Sequence, residues 1–146
     1  MILNSIYALL ATFSFGILFN IRGKNLISAC LGGGVGWLFL LIFEQKLKIS
    51  PTFALFAASI IIGIYSEIMA RILKSPVTTF AVCAIIPMVP GNGMYYTMYE
   101  SVHGNTAKAL SIGMQTLAST GALAAGIVLV SSCTKILNAK NATNHL

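Results

Sequence analysis

The stretch Ile85-Ile86-Pro87-Met88-Val89-Pro90-Gly91-Asn92-Gly93-Met94-Tyr95-Tyr96 holds the residue types best suited to chemistry in this chain. Proline removes a backbone donor and clashes with the carbonyl four residues back. Two prolines three apart, followed by Gly-Asn-Gly, predict that a helix through this segment unwinds between Pro87 and Gly93. A half-helix restarting near Asn92 would point unpaired amides and a positive dipole end into the break, which suits a carboxylate. Substrate contact is therefore expected at Pro87, Pro90, Gly91, Asn92 and Gly93, with a structural kink as the alternative. Tyr95 and Tyr99 follow one turn apart on a common face. They could line a pathway and donate hydroxyls to a substrate, or form an aromatic belt at a membrane interface.

Three further positions carry polar groups inside apolar sequence. Glu67 and Arg71 are four apart and project from one helix face, as a helix-end ion pair or as a gating or coupling pair. Gln115 lies in a run that also carries Ser111, Thr116, Ser119 and Thr120, and packing alone does not explain it. It is held as a substrate-contacting residue. Glu44 and Glu100 are expected in solvated loops, and His103 in an outer loop. Cys30, Cys83 and Cys133 read as small packing residues, since their number is odd and no Cys-x-x-Cys occurs. No paired carboxylate, nucleophile motif, phosphate loop or metal-ligand spacing appears. The expectation is a non-enzyme with no cofactor and no metal.

The elements that must position these residues follow from composition. Of 146 residues, 57% are apolar and 8% charged, with a mean hydropathy of +0.87. A soluble domain has about 25% charged residues. Twelve charged side chains cannot give a chain of this length a polar shell, so it is expected to be an integral membrane protein. The net charge of +6 then reflects basic residues at the ends of apolar runs rather than a nucleic-acid surface.

Five runs qualify as crossings: about 2–20, 26–43, 52–73, 77–99 and 109–133, with a tail over 134–146. Lengths of this order without alternation point to helices rather than barrel strands, which have about 10 residues. The expected fold is all-α, a single transmembrane domain over 1–146 of five helices, the fourth broken at a Pro-x-x-Pro-Gly motif. At ~1.5 Å per residue from Val77, Pro87 falls near the bilayer midplane. Irregular backbone at that depth is tolerated only inside protein or beside a water-filled cavity, and it is a recurring binding-site device of secondary transporters. Ser28, Gly32 and Gly36 form a small-residue stripe in the second run. Ala118, Ala122 and Gly126, and Gly121 with Ala125, form two more in the fifth, all suited to close helix packing.

Alternate loops carry unequal basic charge. Arg22, Lys24, Arg71, Lys74, Lys135 and Lys140 belong to one set, and Lys46, Lys48 and Lys108 to the other. The excess predicts an amino terminus outside and a carboxyl terminus in the cytoplasm. The sequon Asn141-Ala142-Thr143 would then never meet a glycosylation machinery.

Thr52-Phe53, Ile64-Tyr65-Ser66-Glu67, Ala70-Arg71, Pro76 and Ile85-Ile86-Pro87-Met88-Val89-Pro90-Gly91 with Tyr95 resemble the carboxyl-terminal half of the threonine/serine exporter (ThrE) family. Phe19-Asn20 with Gly33 and Gly36 fits the same pattern. The resemblance covers about residues 10 to 130, and Ile-Pro-Met-Val-Pro-Gly is its most specific element. It implies a bacterial cytoplasmic (inner) membrane exporter of threonine and serine, or of a dicarboxylate such as succinate, drawing on the proton motive force. It also implies a larger membrane subunit that supplies the other half and a cytoplasmic domain. The expected partners are thus the lipid bilayer, that larger subunit and a small carboxylate substrate, and no nucleic acid. A non-transporting scaffold subunit and a homo-oligomeric pore are the alternatives.

Overall fold

A computed structural model describes residues 2–143, with side chains placed from residue 3 to 136. Lys140, the sequon and His145 lie outside the described side chains. The described chain is all-α, with no strand. Its helices are α1 (Ile2–Leu18), α2 (Lys24–Leu41), α3 (Pro51–Ile72), α4 (Val77–Ile85), α5 (Gly91–Val102) and α6 (Thr106–Thr143). A π turn, Ile42–Lys46, continues α2, and a 3-10 turn, Ile86–Met88, continues α4.

Local chemistry sets the ends. Pro51 opens α3 at a position where its missing N–H costs nothing, and Pro76 flanks the start of α4. Three helices close with the same 6→1 device. Ile21 N–H donates to Gly16 at 2.9 Å, Ser75 N–H to Ala70 at 3.0 Å and Asn105 N–H to Glu100 at 3.0 Å. Each needs a left-handed residue after the last turn. Asn20 (φ 56°), Lys74 (φ 50°) and Gly104 (φ 79°) supply it.

Glycines set the spacing inside. A Cβ at Gly33 would overlap the Thr12 side chain of α1, and one at Gly36 would overlap Ile62 of α3 and meet Met88 at 3.1 Å. At Gly32 it would stand 2.8 Å from the Tyr65 ring. With no Cβ there, α2 lies close to α1, α3 and the end of α4 at once. The Tyr65 hydroxyl crosses this seam to donate to the Ser28 carbonyl at 2.8 Å. Around it pack Leu40, Leu55, Ile62, Ala84, Met88 and Leu123, and toward the other end Ala29, Ala70, Phe80 and Cys83.

The contacts also give directions. Gly32 faces Ala84 and Gly36 faces Met88, so α2 and α4 run parallel. Gly126 sits on Phe56 and Ser59, and Gly63 on Val130, so α3 and α6 are parallel too. Gly93 meets Thr116 and Gly113 meets Thr97, which makes α5 antiparallel to α6.

The outside is as apolar as the inside: Leu10, Ile17, Ile27, Phe53, Ile64, Leu117 and Val128 are all exposed. Such a surface is untenable in water and ordinary against lipid. Among the described residues, three helices are long and apolar enough to cross a membrane, or four if the bent pair α4–α5 is one span, and α1 is a shorter apolar helix.

Several boundaries differ from the sequence reading. The fifth run does not end at Cys133. α6 continues to Thr143, because 134–143 contains neither Pro nor Gly and loss of apolarity does not stop a helix. The polar stretch from Glu100 to Lys108 is mostly helix around a corner at His103–Asn105. Glu100 is not solvated: its side chain is 7% exposed, bridged by the Lys108 ammonium, with Asn105 Nδ2 donating at 2.8 Å. Glu44 is half-buried in the π turn rather than in a solvated loop.

Candidate functional site at the helix break

The chain leaves the α-helical path at Ile86. After the 3-10 turn, Val89 is extended (φ −57°, ψ 129°), and Pro90 (φ −75°, ψ 60°) stands in the N-cap position of α5. The two helical arms meet at 49°. Pro87 lacks the N–H that would have bonded back into α4, and Pro90 cannot donate either. Gly91 N–H turns back onto the Val89 carbonyl at 2.7 Å. The amides of Asn92 and Gly93 belong to the first turn of α5, which a helix cannot satisfy internally. No side chain among the described residues caps them.

The residues singled out by sequence fall into three surroundings. Pro87, half-buried, faces α1 and α2 in a cleft of about 300 Å³ lined also by Asn4, Tyr7, Ala8, Ala11 and Trp37. Pro90 and Gly93 are half-buried and Gly91 and Asn92 exposed. A Cβ at Gly91 would meet nothing within 4 Å, whereas one at Gly93 would overlap Thr116 of α6. Tyr95 and Tyr99 are exposed on α5, their rings stacked with centroids 6.1 Å apart. The His103 ring extends the row, 4.1 Å from Tyr99, from the turn that closes α5 and leads into α6.

Gln115 points outward from α6, and its neighbour Thr116 is the residue turned onto Gly93. Thr116 and Thr120 donate to carbonyls one turn back, at 2.7 and 2.9 Å, which accounts for hydroxyls in an apolar helix. Glu67 is half-buried and Arg71 exposed near the far end of α3, away from the break. The break therefore sets Gly93 against Thr116 and leaves Gly91 and Asn92 exposed, while Pro87 looks onto α1 and α2.

Sequence reasoning missed Trp37 and Tyr7. Trp37 is the only tryptophan in the sequence, and its Nε1 is buried without a hydrogen-bond partner among the described residues. A lone Trp within an apolar run gives no sign that it will face a proline fifty residues on. A second cleft, about 320 Å³, runs between α5 and α6 past Thr97, Ser101 and Gly113. Chemically, the break offers two uncapped amides and the hydroxyls of exposed tyrosines as hydrogen-bond donors, whereas the Trp37 indole N–H is buried on the Pro87 side. The donors at the break suit recognition of a small polar solute with acceptor oxygens.

Comparison with known proteins gives a consistent picture. A family model described as "Threonine/Serine exporter, ThrE" matches residues 4–133. The threonine/serine exporter of Corynebacterium glutamicum is 28% identical over 103 residues, which is 70% of this chain. Those residues cover 20% of that exporter, so the chain spans about a fifth of the length of the curated relative it matches. No solved structure matches.

Proposed function

The chain belongs to the threonine/serine exporter family, and on that premise we propose that it is a membrane subunit of a secondary exporter for small carboxylate metabolites. The substrates in view are threonine and serine, or a dicarboxylate such as succinate. The observation that carries the reading is the interrupted span at 86–91, with the uncapped first turn of α5 open beside it. A carboxylate there would accept from the Asn92 and Gly93 amides and lie at the positive end of the α5 dipole. Tyr95, Tyr99 and Gln115 would flank its path. Pro87 and Pro90 keep the helix from closing over those donors. Glu67 and Arg71, at the far end of α3, would couple or gate rather than bind.

We read the membrane topology as five crossings. α4 runs parallel to α2, and α6 parallel to α3. The bent pair α4–α5 must then carry the chain from one side to the other, which favours one broken crossing over a re-entrant loop. The amino terminus is outside and the carboxyl terminus in the cytoplasm of a bacterial inner membrane, by the excess of Lys and Arg. A larger subunit completes the transporter, a reading supported by the greater length of the curated relative.

Gly91→Leu tests the site cleanly, since open space around Gly91 lets the variant fold. Export of threonine, serine and succinate from loaded cells is measured with membrane levels followed in parallel. Export of the transported metabolite falls to background while the protein inserts normally. Unchanged export of all three by a well-inserted variant would refute the site. Loss of export together with loss of the larger subunit on co-purification would favour a scaffold role.

A further inference from the structure

Two turns far apart in sequence meet at one end of the bundle. Asn25 Nδ2, at the start of α2, donates to Ser75 Oγ, between α3 and α4, at 2.8 Å. This bond joins the segment Arg22-Gly23-Lys24-Asn25 to the segment Arg71-Ile72-Leu73-Lys74-Ser75. Four basic residues, all exposed, are thereby collected on one face, and neither segment contains Asp or Glu.

Two of the four are held in a particular way. Asn20 is left-handed and its Oδ1 accepts from Arg22 Nε at 3.0 Å, which fixes the guanidinium beside the turn. Lys74 occupies the left-handed position that closes α3. That conformation costs an L-residue about 1–2 kcal/mol and is where glycine is usually found.

Directly beside this face lies a cleft of about 230 Å³ between the end of α1 and α4. Its walls are Phe19, Ile21 and Val82, with the Thr78 and Thr79 hydroxyls among them. Phe19 of this cleft and its chain neighbour Leu18 are exposed apolar residues. A basic face above an apolar furrow that opens along the helices matches an amphiphile with an anionic head and a hydrocarbon tail.

We propose that this end of the bundle is a binding site for anionic phospholipid, the phosphate held by Arg22, Lys24 and Lys74 and an acyl chain lying in the α1–α4 cleft. Basic charge that served topology alone would not need the Asn20–Arg22 bond. A soluble anion would gain nothing from the apolar furrow. The site is separate from the helix break and stands or falls independently of the exporter reading.

The test uses the purified full chain in nanodiscs of phosphatidylcholine, with and without phosphatidylglycerol. Thermal unfolding and native mass spectrometry of retained lipid are the readouts. Phosphatidylglycerol is expected to raise the unfolding midpoint and to be retained in preference to phosphatidylcholine. Arg22→Gln, Lys24→Gln and Lys74→Gly should each lower that preference roughly fivefold, the worth of one basic residue near an anionic surface. Lys74→Gly keeps the left-handed turn, so its midpoint in pure phosphatidylcholine does not fall, which separates loss of charge from loss of fold. Equal retention of the two lipids, or an undiminished preference in the triple variant, would overturn the proposal. So would inorganic phosphate stabilising the wild type as well as phosphatidylglycerol does. Variants that keep the lipid preference but lose the larger subunit on co-purification would reassign the face to a protein contact.

Discussion

At the scale of single residues, the side chains that are absent explain as much as those present. Gly33 and Gly36 have no room for a Cβ, whereas Gly121 on α6 meets nothing within 4 Å. A valine at Gly36 must displace Ile62 and Met88, and overpacking of this kind costs about 1–3 kcal/mol. Gly36→Val is therefore expected to lower the thermal midpoint in detergent, and Gly121→Val to leave it unchanged. Equal behaviour of the two would show that α2 is not pinned by its glycines. The same reasoning explains why Gly91, not Gly93, is the position at which to obstruct the proposed substrate path: a side chain at Gly93 would strike Thr116 and disturb α5 itself.

At the scale of elements, α5 is the helix with the least support. It packs mainly on α6, and its Met94, Tyr95, Met98 and Val102 are exposed. The clasp of Glu100, Asn105 and Lys108 closes the corner between the two helices. Glu100 has little access to water, so its carboxylate depends on those two partners. A cysteine pair replacing Thr97 and Gly113, which face each other across the hairpin, should cross-link readily in the otherwise native chain. Adding Glu100→Gln removes the charge and should slow cross-linking, and Lys108→Met should do so at least as much, since it strips the counter-charge from a carboxylate with little access to water. Unaltered cross-linking in the Glu100→Gln background would mean that packing alone holds the hairpin. The break before α5 and the clasp after it give this helix a hinge at one end and a fixed corner at the other.

At the scale of the whole molecule, helix directions and basic charge agree. The Asn25–Ser75 bond puts the α1–α2 and α3–α4 turns on one side, and parallel packing of α3 and α6 carries the end of α6 toward that side. On the proposed topology this side is cytoplasmic. In a Cys133→Ser background, Lys135→Cys should resist an impermeant thiol reagent added outside intact cells, while Gln45→Cys should react. Labelling of Lys135→Cys from outside would reverse the orientation. Cys30 and Cys83 are buried and should stay silent in both.

The membrane class and the helical content could be read from sequence alone, because they rest on local quantities; so could an interruption near the prolines, although it covers 86–90, with α5 restarting at Gly91, rather than the expected Pro87 to Gly93. Hydropathy over ~20 residues decides whether a segment can lie in lipid, and two prolines three apart disrupt a helix whatever surrounds them. The family was legible for a related reason: Ile85 to Gly91 is a contiguous string whose identity needs no partner. The identity of each neighbour needed the fold. Nothing local says that Gly36 receives Ile62, that Pro87 faces Trp37 and Tyr7, or that Thr116 rather than Gln115 meets Gly93. In an apolar helix every face is greasy, so the polar-out pattern that reveals a buried side in soluble proteins is missing. Glu100 shows the same limit: by composition it belonged to a solvated loop, and only the corner at Gly104 brought Asn105 and Lys108 onto its carboxylate. Which residues touch was settled by how closely the glycines let the helices approach, a property of pairs of helices that no single segment contains.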